Sequence, residues 1–166
     1  YRAGYAPLGA SVYVAPFPTP YRWGVDMEEA VDRTLAGVDD LHRHELLASE
    51  TACYLIEPVQ GEGGYIVPPA GWLDRIGKIA KDHGMMFIAD EVQTGFGRTG
   101  KMWGIEHSKV VPDIMTMAKS MGGGMPIGIL AGKARFMDAL DGGVWHYGDD
   151  SAPEAVATFV AGTFVR

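Results

Sequence analysis

Features that define several classes of protein are scarce or missing in this chain of 166 residues. Its single cysteine, Cys53, excludes an internal disulfide, and its apolar surroundings predict a buried side chain rather than a reactive thiol. No apolar run approaches the ~20 residues that a bilayer-crossing helix needs. Basic residues never occur in runs longer than two, and the net charge is −7, which argues against nucleic acid as a partner.

A metal site and a secretory leader also lack support in the sequence. His42 and His44 lie two positions apart on a predicted helix and therefore face different directions, and the other three histidines are isolated. With one cysteine and no paired histidines, we expect no metal site. The first residues contain no apolar segment of the signal-peptide kind. The apolar fraction of 47% is typical of a globular domain, and we expect a cytoplasmic protein without a membrane partner.

The first third of the chain divides into an irregular segment and a helix. Residues 1–25 are rich in proline, glycine and tyrosine, and prolines this dense are expected to exclude helix and regular strand. Asp26 followed by Glu29 is a helix start of the capping-box type. The predicted helix continues to the region of Leu47, with a break expected near Gly37.

Apolar runs and amphipathic stretches alternate through the rest of the chain. Four runs, at residues 52–56, 85–89, 113–117 and 127–131, predict buried strands. The spacing of apolar residues predicts helices over 70–83 and 134–140. This alternation is typical of βαβ units, so we predict an α/β fold with a mainly parallel sheet and flanking helices. We assign the core to residues 52–132 and a tail to 133–166.

An ionisable residue follows each of the first three predicted strands. These residues are Glu57, Asp90 and Lys119. In open α/β sheets, ligands bind beyond the carboxyl ends of the strands. The three side chains are therefore predicted to meet in one site.

Lys119 has flanking residues that favour a chemical role. It follows an apolar strand and precedes three glycines, residues 122–124, where a ligand can approach the backbone closely. A partly desolvated lysine amine is a nucleophile that forms Schiff bases. The alternative is an exposed surface lysine. A Walker phosphate loop fits poorly because its glycines precede the lysine rather than follow it.

Asp90 and Glu57 each have a functional and a structural interpretation. A carboxylate at the position of Asp90 can pair with a cofactor ring nitrogen and keep the ring protonated, so that the ring acts as an electron sink. The alternative is a helix cap or a turn residue. Glu57 opens a glycine-rich segment, and the alternative there is a solvated glutamate in a tight turn.

Three motifs resemble those of a known family. They are residues 55–64 (LIEPVQGEGG), residues 88–100 (IADEVQTGFGRTG) and residues 112–128, which contain Lys119. Their sequence, order and spacing resemble the class III aminotransferases, the family of 4-aminobutyrate and ornithine aminotransferases, over residues 15–132. The resemblance implies the fold-type I large domain of enzymes that depend on pyridoxal 5'-phosphate (PLP). Family members are longer, so residues 1–166 are expected to be part of that PLP-binding domain, a fragment.

The resemblance also implies roles around the cofactor. Lys119 would hold PLP as a Schiff base and move the proton between substrate and cofactor. Asp90 would pair with the pyridine nitrogen, Val92 would pack against the ring face, and Gln93 would hydrogen-bond the phenolic oxygen. Glu57 would lie on the substrate side, where it can neutralise an arginine when no carboxylate is bound.

The tail resembles a second branch of the same family. Residues 136–150 and 161–164 are similar to the glutamate-semialdehyde aminomutase branch, and Thr163 matches a threonine that reaches the cofactor phosphate of the partner subunit. The resemblance to the class III family also implies a homodimer with sites at the subunit interface. The implied activity moves an amino group between a small-molecule amino donor and a keto acid or aldehyde. A PLP-dependent aminomutase and a non-catalytic truncated fragment stay open as alternatives.

Overall fold

The computed structural model describes residues 9–137. Its helices are α1 (Pro20–Trp23), α2 (Met27–His44), α3 (Trp72–Asp82) and α4 (Ala134–Met137), and its strands are β1 (Cys53–Ile56), β2 (Met86–Asp90), β3 (Ile114–Met117) and β4 (Ile129–Gly132). Short 3-10 turns lie at Ala48–Glu50, Gly104–His107 and Lys119–Gly122. The four predicted strands and the helix predicted at 70–83 are present, and α4 matches the described part of the helix predicted at 134–140.

Helix α2 begins where the sequence predicts and runs without a break. The Asp26 side chain accepts a hydrogen bond from the Glu29 amide at 2.8 Å, which caps the first turn. The expected break near Gly37 is wrong, because the helix uses this glycine for packing. A Cβ at Gly37 would lie 2.7 Å from the ring of Pro16. Gly37 thus lets the N-terminal segment pack directly on the helix.

The expectation that residues 1–25 contain no helix is wrong at α1. Pro20 occupies the first turn of α1, where proline is tolerated because the missing amide hydrogen would have no helical acceptor. Gly24 ends the turn in the left-handed conformation, with φ at 64°. Pro20 at the start and Gly24 at the end therefore bound a helix of four residues within this segment.

The four strands form one sheet in the order β1–β2–β3–β4. β1, β2 and β3 are parallel, with Cys53 opposite Met86 and Ile88 opposite Ile114, whereas β4 is antiparallel to β3. The mainly parallel sheet is confirmed. Residues 118–128 join β3 to β4, and this connection is shorter than the dozen or more residues that a parallel crossover needs.

Helices α2 and α3 pack against one face of the sheet. Phe87 and Ala89 of β2 are buried on that face. The strand register places every second side chain of β1 and β3 on the same face. The buried core also contains residues of α2, α3 and the nearby turns: Val31, Val38, Trp72, Leu73, Ile76, Ala80, Met85 and Ile105. Burial of each large apolar side chain contributes roughly 1.5–3 kcal/mol. Because side chains alternate along a strand, Asp90 faces away from this core.

Asp113 fastens β2, β3 and β4 together at the end of the sheet opposite the predicted site. Its carboxyl accepts hydrogen bonds from the Phe87 amide at 2.9 Å and from Lys133 Nζ at 2.7 Å, and Arg135 lies 3.4 Å away. Burial acts to raise the pKa of this carboxyl, but these donors and the two positive charges outweigh burial, so the pKa lies below its ordinary value.

The remaining expectations about the described residues concern Cys53, membranes and metals. Cys53 is half-buried rather than buried as expected, and this burial raises the pKa of its thiol. Within residues 9–137, no helix combines the length and the apolar character that a bilayer span requires. The same residues contain no group of three or more His, Cys, Asp or Glu side chains placed to hold a metal ion.

Candidate functional site

The carboxyl ends of β1, β2 and β3 meet at a cleft of about 160 Å³. Glu57 follows β1, Asp90 ends β2, and Lys119 follows β3. All three residues line the cleft, as do Val92 and Gln93. The structure therefore brings together every predicted site residue except the one that lies outside the described residues.

Lys119 enters the cleft from a strained backbone position. Its φ is 51°, in the left-handed region that costs a residue with a side chain on the order of 1–2 kcal/mol. Its Nζ donates a hydrogen bond to Gln93 Oε1 at 2.5 Å. The side chain is exposed rather than partly desolvated as expected. The turn thus delivers the amine to Gln93 and leaves it accessible.

Asp90 combines the structural and the functional interpretation of its carboxyl group. Oδ1 accepts hydrogen bonds from the Val92 amide at 3.0 Å and from the Thr116 hydroxyl at 3.2 Å. These bonds close the turn after β2 and join it to β3. Among the described residues, no hydrogen bond falls on Oδ2. One oxygen therefore shapes the turn while the other can accept a hydrogen bond from a ligand.

Glu57 and the glycine-rich segment that follows it form one wall of the cleft. Glu57 Oε2 accepts a hydrogen bond from the Gly61 amide at 2.7 Å, so the predicted turn is present. A Cβ at Gly61 would lie 2.9 Å from Gln93 Cγ, and only glycine permits this close approach. Glu62 also lines the cleft and was not predicted.

Sequence reasoning missed Glu91, which lies between two predicted site residues. Only 1% of its surface is exposed, although it is a glutamate at the end of a strand. Its carboxyl accepts hydrogen bonds from the Gly104 amide at 2.9 Å, the Ile105 amide at 2.8 Å and the Thr94 hydroxyl. Two of these donors are 13 and 14 positions away, so no short motif could reveal them.

A larger depression of about 330 Å³ lies along the loop after β2. It is lined by Phe96, Gly97, Gly100, Lys101 and Met102. Its lining contains no carboxyl group, and its one amine donates to the carbonyl oxygen of Glu106 at 2.6 Å. We therefore place the site at the smaller cleft, which holds an amine, an amide and carboxyl groups together.

The groups in the smaller cleft match the ring of PLP. An amine reacts with an aldehyde carbon, a carboxyl pairs with a pyridine nitrogen, and an amide N–H donates to a phenolic oxygen. Lys119, Asp90 and Gln93 supply these three groups. Thr163, the predicted contact to the cofactor phosphate, lies outside the described residues. The described residues can therefore hold the ring of the cofactor.

Comparisons with known sequences agree with this chemistry. The sequence matches the family model described as aminotransferase class III over residues 1–161. A probable 4-aminobutyrate aminotransferase from Bacillus subtilis is 40% identical over 141 residues, which are 84% of this chain and 32% of that protein. An isoleucine 2-epimerase from Lentilactobacillus buchneri is 40% identical over 139 residues, which are 81% of this chain and 31% of that protein. The chain thus spans about a third of the length of these relatives.

A solved structure extends the agreement to the fold. An amine transaminase from an uncultivated Pseudomonas species, described in its PLP-bound form, has a TM-score of 0.78 and is 33% identical. The match covers 90% of this chain and 34% of that one. The predicted PLP-dependent transferase fold and PLP as the cofactor are confirmed at the level of the family. Because the family model matches nearly the whole sequence, the chain belongs to the class III aminotransferases.

Proposed function

We propose that this chain is part of an enzyme that uses PLP to move an amino group between a small amino donor and a keto acid or aldehyde. The observation that carries the proposal is that Lys119 Nζ, 2.5 Å from Gln93 Oε1, shares one cleft with Asp90. Membership of the class III aminotransferases supports the same reaction. Residues 1–166 then form part of the PLP-binding large domain, with residues 52–132 as its core.

Each residue of the cleft has a separate task in this proposal. When bound, PLP supplies a protonated pyridine ring that stabilises a carbanion beside the substrate nitrogen. Asp90 would accept the ring N–H through Oδ2, Val92 would pack on the ring face, and Gln93 would donate its amide N–H to the phenolic oxygen. Lys119 would hold the cofactor through its amine and would move a proton to and from the substrate carbon.

Glu57 lies on the substrate side of the proposed site. The Gly61 amide binds Oε2 of Glu57, which keeps that side chain folded against its own turn and leaves Oε1 for a second contact. We propose that this contact is an arginine, which Glu57 neutralises when no carboxylate is bound. Thr163 then contacts the cofactor phosphate of a partner subunit, so the proposal requires a homodimer. The cytoplasmic location stays a prediction.

Epimerisation is a second candidate reaction because one of the relatives is an isoleucine 2-epimerase at 40% identity, the same identity as the aminotransferase from Bacillus subtilis. Epimerisation and the aminomutase alternative both leave the amino group in the starting molecule, so neither consumes an external keto acid. Neither relative described above is an aminomutase. Incubation with an amino donor and a keto acid, followed by quantification of both products, therefore separates transamination from these alternatives.

A trapping experiment tests the role of Lys119 directly. The chain is mixed with PLP and reduced with borohydride, which converts a Schiff base into a stable amine, and the labelled peptide is identified by mass spectrometry. We expect the label at Lys119, because its amine lies in the cleft beside Asp90 and Gln93. The matched control within the same chain is Lys109, which is exposed and lies outside the cleft.

Two variants complete the experiment. Lys119→Ala should remove the main label, and Lys109→Ala should leave it unchanged. Label spread evenly over exposed lysines, or no label at all, would mean that the chain has no working site, as the truncated-fragment alternative predicts. Label concentrated on Lys119 without keto acid consumption by the enzyme would favour epimerisation.

A further inference from the structure

Glu91 is a buried acidic residue that the proposed reaction does not use. It follows Asp90 directly and precedes Val92 and Gln93, yet its side chain points away from the cleft into the protein. A carboxyl group removed from water is costly unless hydrogen bonds replace its hydration. Three hydrogen-bond donors are directed at this one carboxyl group, so its position needs an explanation beyond turn formation.

The hydrogen bonds of Glu91 connect it to three other parts of the chain. Its carboxyl accepts hydrogen bonds from the Gly104 and Ile105 amides, at 2.9 and 2.8 Å, and from the Thr94 hydroxyl. Its own amide donates to the carbonyl oxygen of Thr116 in β3 at 2.9 Å, and its carbonyl oxygen accepts from the Gly95 amide at 2.9 Å. Every polar group of the residue is thus fixed to β3, to the loop after β2 or to the turn Gly104–His107.

The packing around this carboxyl is too tight to allow other arrangements. A Cβ at Gly104 would lie 2.7 Å from Thr94 Cβ and 3.2 Å from Glu91 Oε2, and a Cβ at Gly95 would lie 2.9 Å from the carbonyl oxygen of Glu91. Real Cβ atoms do not approach backbone or branched side chains so closely, so both positions require glycine. The loop and the turn are therefore held in one relative position with Glu91 between them.

We propose that Glu91 is a positioning residue, which locks the loop after β2 to the turn Gly104–His107 and so places Val92 and Gln93 against the ring of bound PLP. The inference rests on the proposed function for its consequence at the cofactor. Its structural half concerns the cofactor-free chain alone: Val92 and Gln93 are fixed because Glu91 on one side carries the carboxyl and Thr94 on the other side donates a hydrogen bond to it. Glu91 itself touches neither cofactor nor substrate in this proposal.

Glu91→Gln tests the lock with little change in size. One oxygen remains to accept a hydrogen bond. In either orientation, the new NH2 group faces the Gly104 or the Ile105 amide, which also donates, so one of these two hydrogen bonds is lost. Glu106→Gln is the matched control, because Glu106 lies on the same turn, is exposed, and accepts from the Trp103 amide at 3.2 Å, which glutamine can also do. Thr94→Val removes only the hydroxyl donor and serves as the milder variant if Glu91→Gln does not fold.

The readout is the visible circular dichroism of bound PLP divided by its absorbance. PLP is achiral, so this ratio reports how firmly the protein orients the ring, and it does not depend on how many molecules have folded. We expect Glu91→Gln, or Thr94→Val in its place, to lower the ratio more than twofold and Glu106→Gln to leave it unchanged. A variant that binds less PLP with an unchanged ratio would give Glu91 a merely structural role and overturn the proposal.

The experiment also separates this inference from the proposed function. If the unaltered chain shows neither a dichroic signal nor a label at Lys119, the proposed function fails for this chain. The lock is then judged on hydrogen exchange of the Val92 and Gln93 amides in the cofactor-free chain. Exchange that is at least tenfold faster in Glu91→Gln than in Glu106→Gln supports the lock, and equal exchange in the two variants overturns it.

Discussion

Replacement of Asp90 by asparagine would test the charge at the ring-binding position without disturbing the turn that carries it. Asparagine retains an oxygen that can accept from the Val92 amide, now at 3.0 Å, and from the Thr116 hydroxyl, now at 3.2 Å. The change therefore falls on the second position, where an NH2 group replaces Oδ2. An NH2 group donates hydrogen bonds and cannot accept one from a ring N–H.

The size of the effect follows from the kind of bond that is lost. A hydrogen bond to a charged group contributes about 1.5–3 kcal/mol, so the dissociation constant for PLP is expected to rise roughly 10- to 150-fold. The free energy of unfolding should change by less than about 0.5 kcal/mol, because both hydrogen bonds that hold the turn persist. We therefore expect Asp90→Asn to weaken PLP binding strongly while the free energy of unfolding stays nearly unchanged.

The assay is a titration of the chain with PLP, followed by tryptophan fluorescence, together with urea unfolding of the cofactor-free form. Asp32→Asn is the matched control, since it removes one carboxylate from an exposed pair with Arg75 outside the cleft. A dissociation constant for Asp90→Asn within twofold of that of the unaltered chain would refute the role assigned to Asp90. Equal weakening in Asp32→Asn would attribute the effect to net charge instead.

Two further predictions concern the cleft wall and the opposite end of the sheet. Gly61→Ala places a Cβ 2.9 Å from Gln93 Cγ and should cost about 1–3 kcal/mol, with severalfold less borohydride trapping at Lys119; unchanged trapping would contradict this. Because the pKa of Asp113 lies below its ordinary value, its ionised carboxyl stabilises the fold at neutral pH, and this contribution disappears as the pH falls from about 4 through the folded-state pKa. Asp113→Asn should therefore lower the free energy of unfolding by about 1 kcal/mol at pH 7 and by much less at pH 3 in urea titrations, whereas an equal loss at both values would count against this account.

The cleft could be predicted from the sequence because its residues are tied to features that a sequence displays. Buried parallel strands appear as short apolar runs, and Glu57, Asp90 and Lys119 stand where three such runs end. The geometry of a parallel sheet then brings strand ends together without any further information. Val92 and Gln93 followed from the resemblance of a local motif, and they need no long-range contact to be found.

The elements that sequence reasoning missed depend on contacts between distant residues. The continuity of α2 through Gly37 reflects the ring of Pro16, 21 positions earlier, which occupies the space that a side chain would need. The burial of Glu91 reflects amides 13 and 14 positions later. Glycine is unfavourable inside a helix and glutamate is rarely buried, so only the folded structure shows why these residues are there.

The left-handed backbone conformation of Lys119 sets the stability of the fold against the proposed chemistry at one residue position. Glycine adopts a φ of 51° without the steric cost that every other residue bears, so exchange of the lysine for glycine should make the chain more stable by about 1 kcal/mol. In the proposed function, the reactive amine at this position therefore comes with a standing conformational penalty, which is the usual form of a trade-off between stability and activity.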